Sequence, residues 1–301
     1  MTKLRRDYKS RMFTMIFSDK KELLELYNAV AKRNYNDPEL LTINTLENAI
    51  YMSMKNDLSF LIDCRVPLFE HQSTYNPNMP VRFLFYISDM YSTLTDGQNL
   101  YGTRLIQIPA PRFIVFYNGQ EQRPEHEVLT LSKAYLTQEE DVSLELIVEV
   151  FNINVGYNEE LKKASKTLSD YAIYVQRIRD YRGKGFSIEE SVEQAIEECI
   201  KDDILREFLM KNKAEAMAVS IYEYNEEEHM RMEREQHYEE GLKAGLEKEK
   251  NAVKNLFKKG VDFEIIKTSF TDIPEEELLI LYNEVIVSEE EQSGGDGCEY
   301  L

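Results

Sequence analysis

The sequence predicts an α/β fold class, in which a mixed β-sheet is flanked by helices and is followed by an all-α C-terminal part. Short apolar and β-branched runs alternate with amphipathic helical patterns in residues 1–158. Several of these runs are almost continuously apolar, which is typical of strands covered on both faces. From residue 159 onward the pattern is helical throughout. A chain of 301 residues is long enough for one larger domain and a smaller helical appendage.

The first element of the predicted core is an amphipathic helix over residues 19–33, in which Leu23, Leu26 and Val30 recur at helical spacing. Short apolar or β-branched runs predict strands at residues 40–46, 58–63, 66–73, 104–108, 112–119 and 144–154. Residues 79–94 carry apolar side chains around most of a helical circumference, which predicts a largely buried helix. This order of strands and helices indicates a mixed sheet with helices packed on it.

The C-terminal part divides into four predicted segments. Residues 159–224 predict a helical extension packed on the core, and residues 225–259 predict a charged connecting helix with few apolar residues to bury. Residues 260–287 predict a small helical hairpin. The acidic tail at residues 288–301 is expected to be disordered.

The connecting helix has two interpretations. Its polar surface favours a solvated connector between the helices before and after it. Alternatively, the small pair Gly241 and Gly245, close to Tyr238, Leu242 and Leu246, would allow the helices of two subunits to pack together. The second interpretation predicts a homo-oligomer assembled through the C-terminal helices.

The net charge of −19 is distributed unevenly along the chain. Residues 187–301 hold 31 of the 55 acidic residues and 13 of the 36 basic residues, so nearly all of the negative excess lies there. Residues 1–186 are close to neutral, and phosphate binding depends on local Lys and Arg rather than on the total. The acidic total therefore does not exclude a DNA-binding core.

The sequence predicts a soluble cytoplasmic protein with no membrane partner. No stretch approaches the roughly 18 consecutive apolar residues of a membrane span. The basic N-terminus lacks the uninterrupted apolar region and the small-residue cleavage site of a secretory signal. The three cysteines, Cys64, Cys199 and Cys298, are far apart and odd in number, which favours reduced thiols over a disulfide framework or a zinc site.

The segment from Lys55 to Arg82 carries the most informative polar residues. If residues 58–63 and 66–72 form an antiparallel hairpin centred between Asp63 and Cys64, Asp57 lies directly opposite Glu70. Residues directly opposite share a face of the sheet, and Gln72 lies on that face two residues further on. Pro67 lacks a backbone donor, which favours an edge strand, a bulge or a longer symmetric loop that keeps the register.

Two adjacent carboxylates repel each other, and a divalent cation between them removes that repulsion. A small number of hard oxygen ligands, with room left for water and phosphate oxygens, suits Mg²⁺ or Mn²⁺. The spacing alone also fits two solvated or cross-paired charges. Metal-assisted hydrolysis of a phosphodiester is the chemistry that the first interpretation allows.

Three further strings carry a resemblance to a known family. EHQS at 70–73, NPNMPVR at 76–82 and FYNG at 116–119 resemble the Rpn family of recombination-promoting nucleases and transposases, a branch of the PD-(D/E)XK nucleases. The resemblance extends from the N-terminal helix to the EECI…LREFL region, over more than two-thirds of the chain. It implies a PD-(D/E)XK nuclease-like core at residues 1–158.

The resemblance also implies a site and an activity. The metal-binding Asp that opens the second core strand corresponds to Asp57, and the Glu-x-Gln triplet that ends the third strand corresponds to Glu70 and Gln72. Mg²⁺-dependent cleavage of DNA and a link to recombination or mobile-element activity are implied in the same way. Most PD-(D/E)XK enzymes have Lys where this chain has Gln72, and glutamine binds through hydrogen bonds without adding positive charge.

Other residues near the predicted site have a functional and a structural interpretation. Glu47 could be an outer acid of the site or a solvated charge. Arg82 and Tyr86 lie one helical turn apart and could face the site, with Arg82 contacting phosphate or forming a structural salt bridge. His71 is predicted on the opposite face of its strand from Glu70, where it would pack rather than catalyse.

Two groups of charged residues complete the candidates. Asp63 is expected in the hairpin turn, where Asp is favoured for backbone reasons, and should be dispensable for chemistry. The N-terminal bases would guide a DNA backbone or would simply be exposed; they are Lys3, Arg5, Arg6, Lys9 and Arg11.

The sequence therefore predicts a Mg²⁺-dependent DNA endonuclease. The alternative is a catalytically weak or inactive protein of the same fold that binds DNA or another protein. No DDE-type triad is spread across the chain, so a transposase activity has no support from the residues themselves.

Overall fold

The computed structural model describes residues 11–43 and 57–293. The chain divides into two compact units, Met1–Glu227 and Glu228–Leu301. The first unit contains a mixed β-sheet flanked by helices, and the second is helical. The predicted α/β class with a helical C-terminal part is confirmed at this level.

Among the described residues, the sheet of the first unit has six strands in the order β1-β2-β3-β4-β6-β5. The strands are β1 (Thr42–Ile43), β2 (Leu58–Leu61), β3 (Arg65–Gln72), β4 (Ala110–Tyr117), β5 (His126–Thr130) and β6 (Ile147–Asn152). The three central strands β3, β4 and β6 run parallel to one another. The remaining pairs β1/β2, β2/β3 and β5/β6 are antiparallel, so the sheet is mixed.

Helices cover both faces of this sheet. They are α1 (Arg11–Phe17), α2 (Lys20–Ala31), α3 (Met79–Leu94), α4 (Glu159–Ala164), α5 (Lys166–Gly183) and α6 (Ile188–Lys201). Helix α3 packs on one face, where Phe83 and Ile87 meet Val66 and Leu68 of β3. Residues of α1, α2, α5 and α6 pack on the other face against Phe69, Ile114 and Phe116. We call these the α3 face and the α5 face.

The predicted register of the β2/β3 hairpin is confirmed. Leu58 pairs with Phe69 and Ser59 with Leu68, which places the position of Asp57 opposite Glu70. Ile62 and Arg65 close a two-residue turn at Asp63 and Cys64, whose φ angles are 46° and 57°. The prediction that Asp63 lies in the turn is also confirmed.

Pro67 is accommodated in an unexpected way. It lies in β3, a central strand with a neighbour on each side, rather than at an edge, and the hairpin loop remains tight. The β2/β3 ladder is instead interrupted next to Pro67, between the Ser59–Leu68 pair and the Ile62–Arg65 bridge. Phe60 and Leu61 pair with β1 on their other side. The missing donor is therefore tolerated through a gap in one ladder.

One strand prediction was wrong, and one strand was missed. Residues 104–108 form no strand, and Leu105 is 83% exposed. The first residue of β4, Ala110, already pairs with the first residue of β3, Arg65, so the segment before it lies beyond the end of the sheet. Strand β5 was missed, because its sequence HEVLT is short and half polar. Helix α1 was missed as well.

The helix predicted at residues 79–94 has those bounds in the structure. It is less deeply buried than its composition indicates, because Met79, Phe83, Tyr86 and Met90 face the sheet while Phe85 is 45% exposed. Its first turn lies directly after the loop that leaves β3. This arrangement places Arg82 beside the carboxyl end of that strand.

The helical part begins after β6. Helices α5 and α6 match the predicted pattern, and α6 starts with a capping box between Ser187 and Glu190. The helical extension predicted at residues 159–224 is interrupted at Asp203 and Leu205, which have positive φ angles. Helix α7 (Arg206–Lys258) follows, with a non-helical residue at Asn212.

The second unit has a small core of its own. Helices α8 (Phe263–Ser269) and α9 (Glu275–Ser293) pack with the end of α7 through Val253, Ile266 and Leu281. Two helices are therefore present where a small helical hairpin was predicted. Helix α9 continues beyond residue 287 to Ser293, so residues 288–293 are helical although the tail was expected to be disordered. Residues 231–248 of α7 are exposed along their whole length.

Two further expectations concern the described ranges. None of the helices there combines the length and apolar composition that a membrane span requires. Cys64 is an exposed free thiol and Cys199 a buried one, as predicted, while Cys298 lies outside the described residues.

Candidate active site

The structure brings Asp57 and Glu70 together at the end of the β2/β3 hairpin. The backbone N–H of Asp57 donates to Glu70 Oε2 at 3.1 Å. In return, Asp57 Oδ2 accepts from the backbone N–H of His71 at 2.7 Å. The Asp57 carboxylate thereby takes the N–H that would otherwise continue the ladder of β3. The predicted convergence of the two acids follows from the confirmed register.

Glu70 and Gln72 project to the α3 face of the sheet. They continue the alternation of Val66 and Leu68, which pack under α3. Glu70 is 4% exposed and Gln72 is 8% exposed. Together they form the polar end of the α3 face of β3, which is otherwise apolar.

Arg82 of α3 reaches back to this acidic pair. Its Nη2 donates to Glu70 Oε1 in a short ion pair. The hydroxyl of Tyr86, one turn further along α3, accepts from Arg82 Nε at 3.1 Å and from Nη2 at 2.8 Å. The prediction that Arg82 and Tyr86 face the site is confirmed. The contact seen for Arg82 is the salt bridge, which was its structural interpretation.

The electrostatics of the site follow from burial and from these charges. Burial raises the pKa of Glu70 well above its usual range, and the negative charge of Asp57 adds to this rise. Arg82 and the Asp57 N–H lower the pKa of Glu70, but by less. Burial, followed by the charge of Glu70, raises the pKa of Tyr86 to about 12. Tyr86 therefore remains a neutral hydroxyl beside the two carboxylates.

Gln72 shares the face but not the ion pair. Its Nε2 contacts the sulfur of Met79, which also accepts from Arg82 Nη1 at 3.4 Å. Within the described part of the chain no donor reaches Gln72 Oε1, so this amide oxygen can accept a hydrogen bond from water or bind a cation.

His71 lies on the opposite face, as predicted. Its ring stacks on Phe13 with centroids 5.1 Å apart, and its Nε2 lies 3.0 Å from the Tyr171 hydroxyl. Burial and the nearby positive charge of Arg179 lower the pKa of His71 to about 3. The ring is therefore neutral at physiological pH. It supports the strand that carries Glu70 and Gln72.

A polar network at the ends of β4 and β6 was not anticipated. Arg179 of α5 donates from Nη1 to the side-chain oxygens of Asn118 and Asn154, at 3.2 and 2.8 Å, and from Nη2 to the Asn118 carbonyl. The backbone N–H of Asn118 donates to the Gln72 carbonyl at 2.8 Å. The network therefore fixes the strand end that carries Gln72. Its signal in the sequence was the FYNG string.

The last residue of the FYNG string, Gly119, is required by the close packing around it. A methyl group on its Cα would lie closer than 3.0 Å to the Ser73 carbonyl oxygen and to the Tyr117 side chain. Only glycine lets the loop after β4 approach the loop after β3 so closely. The two strand ends at the site are thus held together by backbone contact.

Several predicted residues cannot be placed. Glu47 and the N-terminal bases Lys3, Arg5, Arg6 and Lys9 lie outside the described residues. For Arg11, at the start of α1, the structure describes the backbone but not the side chain. Asp63, in the turn, pairs with Arg65 at 2.6 Å and accepts from the Tyr35 hydroxyl at 2.7 Å, away from the acidic pair.

The oxygen atoms of Asp57, Glu70 and Gln72 are possible ligands for a hard divalent cation. Between residues 11 and 43 and between 57 and 293, no three His, Cys, Asp or Glu side chains gather as a metal-binding group. The Asp57 N–H nevertheless donates to Glu70, and the negative charge of Asp57 acts on the Glu70 carboxyl. Gln72 offers an amide oxygen on the same face. Two carboxylates with water are the usual protein contribution to a Mg²⁺ site. These residues therefore fit such an ion.

Comparison of the chain with protein-family models, with curated proteins and with solved structures gives no match. The interpretation of the site therefore depends on its own geometry.

Proposed function

We propose that this protein is a Mg²⁺-dependent DNA endonuclease that hydrolyses phosphodiester bonds, with Asp57, Glu70 and Gln72 as its catalytic residues. The observation that carries the proposal is that the hairpin brings Asp57 onto Glu70, which is almost completely buried and on whose carboxyl the charge of Asp57 acts. Burial and then repulsion by the negative charge of Asp57 raise the pKa of Glu70. A divalent cation bound between them would remove this repulsion.

Each residue has a distinct part in the proposed reaction. Asp57 and Glu70 would hold Mg²⁺, or Mn²⁺ in its place, through their carboxylate oxygens. The bound ion would polarise the phosphate and lower the pKa of a water molecule. Gln72 would orient that water through its amide oxygen. Arg82 would hold a phosphate oxygen, since a guanidinium matches phosphate geometry.

The wider proposal follows the sequence resemblance. It includes a PD-(D/E)XK nuclease-like core, membership of the Rpn family, a link to recombination or mobile-element activity and a cytoplasmic location. It also includes a DNA-guiding role for Arg5, Arg6 and Lys9. A homo-oligomer formed through the C-terminal helices is supported by the exposed stretch of α7 and by the open space around Gly241 and Gly245.

The test is cleavage of plasmid and single-stranded DNA with and without Mg²⁺. Asp57→Asn and Glu70→Gln preserve side-chain size and should reduce the metal-dependent rate by at least about 100-fold, because each removes a charge that the cation requires. Asp63→Asn is the matched control, since this acid lies in the same hairpin and binds Arg65 instead. It should cleave like the wild type.

The proposal fails if the Asp57 and Glu70 variants, purified free of contaminating nuclease, cleave at the wild-type rate. Circular dichroism spectra that match the wild type would show that any loss is not caused by unfolding.

A second candidate function is supported by the Arg82–Glu70 ion pair. Arg82 already neutralises Glu70, so the protein could keep the fold and bind DNA or another protein without cleaving. In that case Mg²⁺ and Mn²⁺ would neither raise the melting temperature nor support cleavage. The metal titration therefore distinguishes a nuclease from a binding module.

A further inference from the structure

We propose that Arg82 is an internal competitor for the cation site: its guanidinium and a divalent cation are mutually exclusive partners of Glu70, and cation binding releases Arg82 toward the phosphate. This inference rests on the proposed function and deepens it. It assigns to one arginine the coupling between metal binding and nucleic-acid binding.

The first step of the argument concerns the two oxygens of Glu70. Oε2 accepts from the backbone N–H of Asp57, and Oε1 accepts from Arg82 Nη2. The Asp57 N–H belongs to the hairpin backbone and cannot move away without breaking the register. The Arg82 side chain can leave by rotation. A cation that binds Glu70 at Oε1 therefore meets the Arg82 guanidinium there.

The second step concerns charge. A guanidinium and a divalent cation on one oxygen of the buried Glu70 carboxylate would repel each other. Asp57 stabilises either positive charge, because its carboxylate lies beside Glu70. The pair of acids can therefore hold the guanidinium or the cation, but not both at the same oxygen.

The third step concerns where Arg82 goes. Its side chain is 30% exposed, whereas that of Glu70 is 5% exposed, so the guanidinium already borders solvent. The Tyr86 hydroxyl accepts from Arg82 Nε as well as from Nη2. A rotation that breaks the Glu70 contact can keep the Nε bond as a pivot. The released Nη atoms would then face the solvent side, where a phosphate can approach.

The position of Arg82 in α3 supports this exchange. It lies in the first turn of the helix, where the macrodipole disfavours a cation. The contact with Glu70 offsets this cost while the acidic pair lacks another cation. Once a cation takes Glu70, a phosphate is the partner that suits both the helix terminus and the guanidinium.

The experiment measures binding of Mn²⁺ alone to the full-length protein by calorimetry, without DNA. Arg82→Met keeps the length of the side chain and removes the competitor, so it should bind Mn²⁺ at least about fivefold more tightly than the wild type. Tyr86→Phe removes only the pivot and should give a smaller increase. Arg112→Met is the matched control, because it breaks an ion pair of 2.8 Å to Glu149 on other strands and should leave Mn²⁺ affinity unchanged.

A second measurement tests the coupling. Ca²⁺, which binds oxygen ligands, should raise the affinity of the wild type for a short DNA duplex. Arg82→Met should lose most of this Ca²⁺-dependent increase in affinity. Both measurements use folded variants, verified by their melting curves.

The outcomes separate the two proposals. If Glu70→Gln abolishes Mn²⁺ binding but Arg82→Met binds as the wild type or more weakly, the competition is refuted and the nuclease proposal stands. If the wild type binds no Mn²⁺ at millimolar concentration, both proposals fail. Tighter binding by Arg82→Met together with loss of the Ca²⁺-dependent gain supports the exchange.

Discussion

The environment of His71 predicts a defined loss of stability on mild acidification. Between the unfolded pKa of about 6.5 and the folded pKa of about 3, the unfolded chain binds a proton at this ring and the folded chain does not. Stability contributed by the neutral ring is therefore fully present above pH 6.5 and is lost as the pH falls. The perturbation is a change from about pH 7 to about pH 5.5, compared between wild type and His71→Gln.

The expected magnitude follows from this difference in pKa. Each pH unit in the window contributes about 1.4 kcal/mol, so the change between about pH 7 and about pH 5.5 should remove about 1.3 kcal/mol through His71. The lower limit stays above the isoelectric point of about 4.8 and avoids precipitation. Other titrating groups contribute equally to both proteins, so the difference between their pH dependences isolates this ring.

The assay is urea unfolding followed by hydrogen exchange of peptides from β3 and β4, because this readout reports the first unit alone. His71→Gln should show a pH dependence that is about 1.3 kcal/mol smaller than that of the wild type. Tyr171→Phe is the matched control. It removes the hydroxyl that contacts His71 Nε2 but keeps the ring enclosed, so the dependence should persist.

Identical pH dependences for the wild type and His71→Gln would refute this reasoning. They would show that the ring is protonated in the folded state or is hydrated there. A wild-type dependence that disappears in Tyr171→Phe would instead assign the effect to the hydrogen bond.

Two other substitutions test the backbone around the site. Gly119→Ala should lower the free energy of unfolding by roughly 1–3 kcal/mol, because its methyl group would overlap the Ser73 carbonyl. Gly183→Ala is the control. It has open space around it and lies in α5, where alanine favours the helix, so it should not lower the free energy of unfolding. Cys64→Gly should raise the free energy of unfolding by about 0.5 kcal/mol, since it relieves a left-handed residue in the hairpin turn. Urea unfolding measures both, and a neutral Gly119→Ala or a destabilising Cys64→Gly would contradict the geometry.

The local features of the site could be predicted from the sequence. The register of β2 and β3 follows from matching two apolar runs across a short turn, and it determines that Asp57 faces Glu70. Alternation along β3 then assigns Gln72 to the same face and His71 to the other. These conclusions need only the period of a strand and the position of its turn.

Other features depend on contacts that a single sequence does not reveal. The run at 104–108 has strand-like composition, but it becomes a loop because β3 begins at Arg65 and offers no partner before Ala110. Arg179 comes from α5, 61 residues after the Asn118 side chain that it contacts. The contact between Arg82 and Glu70 depends on how the chain after β3 brings the first turn of α3 to the end of that strand. Tertiary context decides all three.

The acidic pair, its arginine and the tyrosine that holds it come from thirty consecutive residues, Asp57 to Tyr86. Closing such short loops costs little chain entropy, so this stretch can assemble before the distant strands β4 and β6 are in place. We therefore expect substitutions at the hairpin turn to slow folding, while substitutions in β6 mainly accelerate unfolding. The candidate site thus lies in a stretch of the chain whose contacts are short in sequence and can form early in folding.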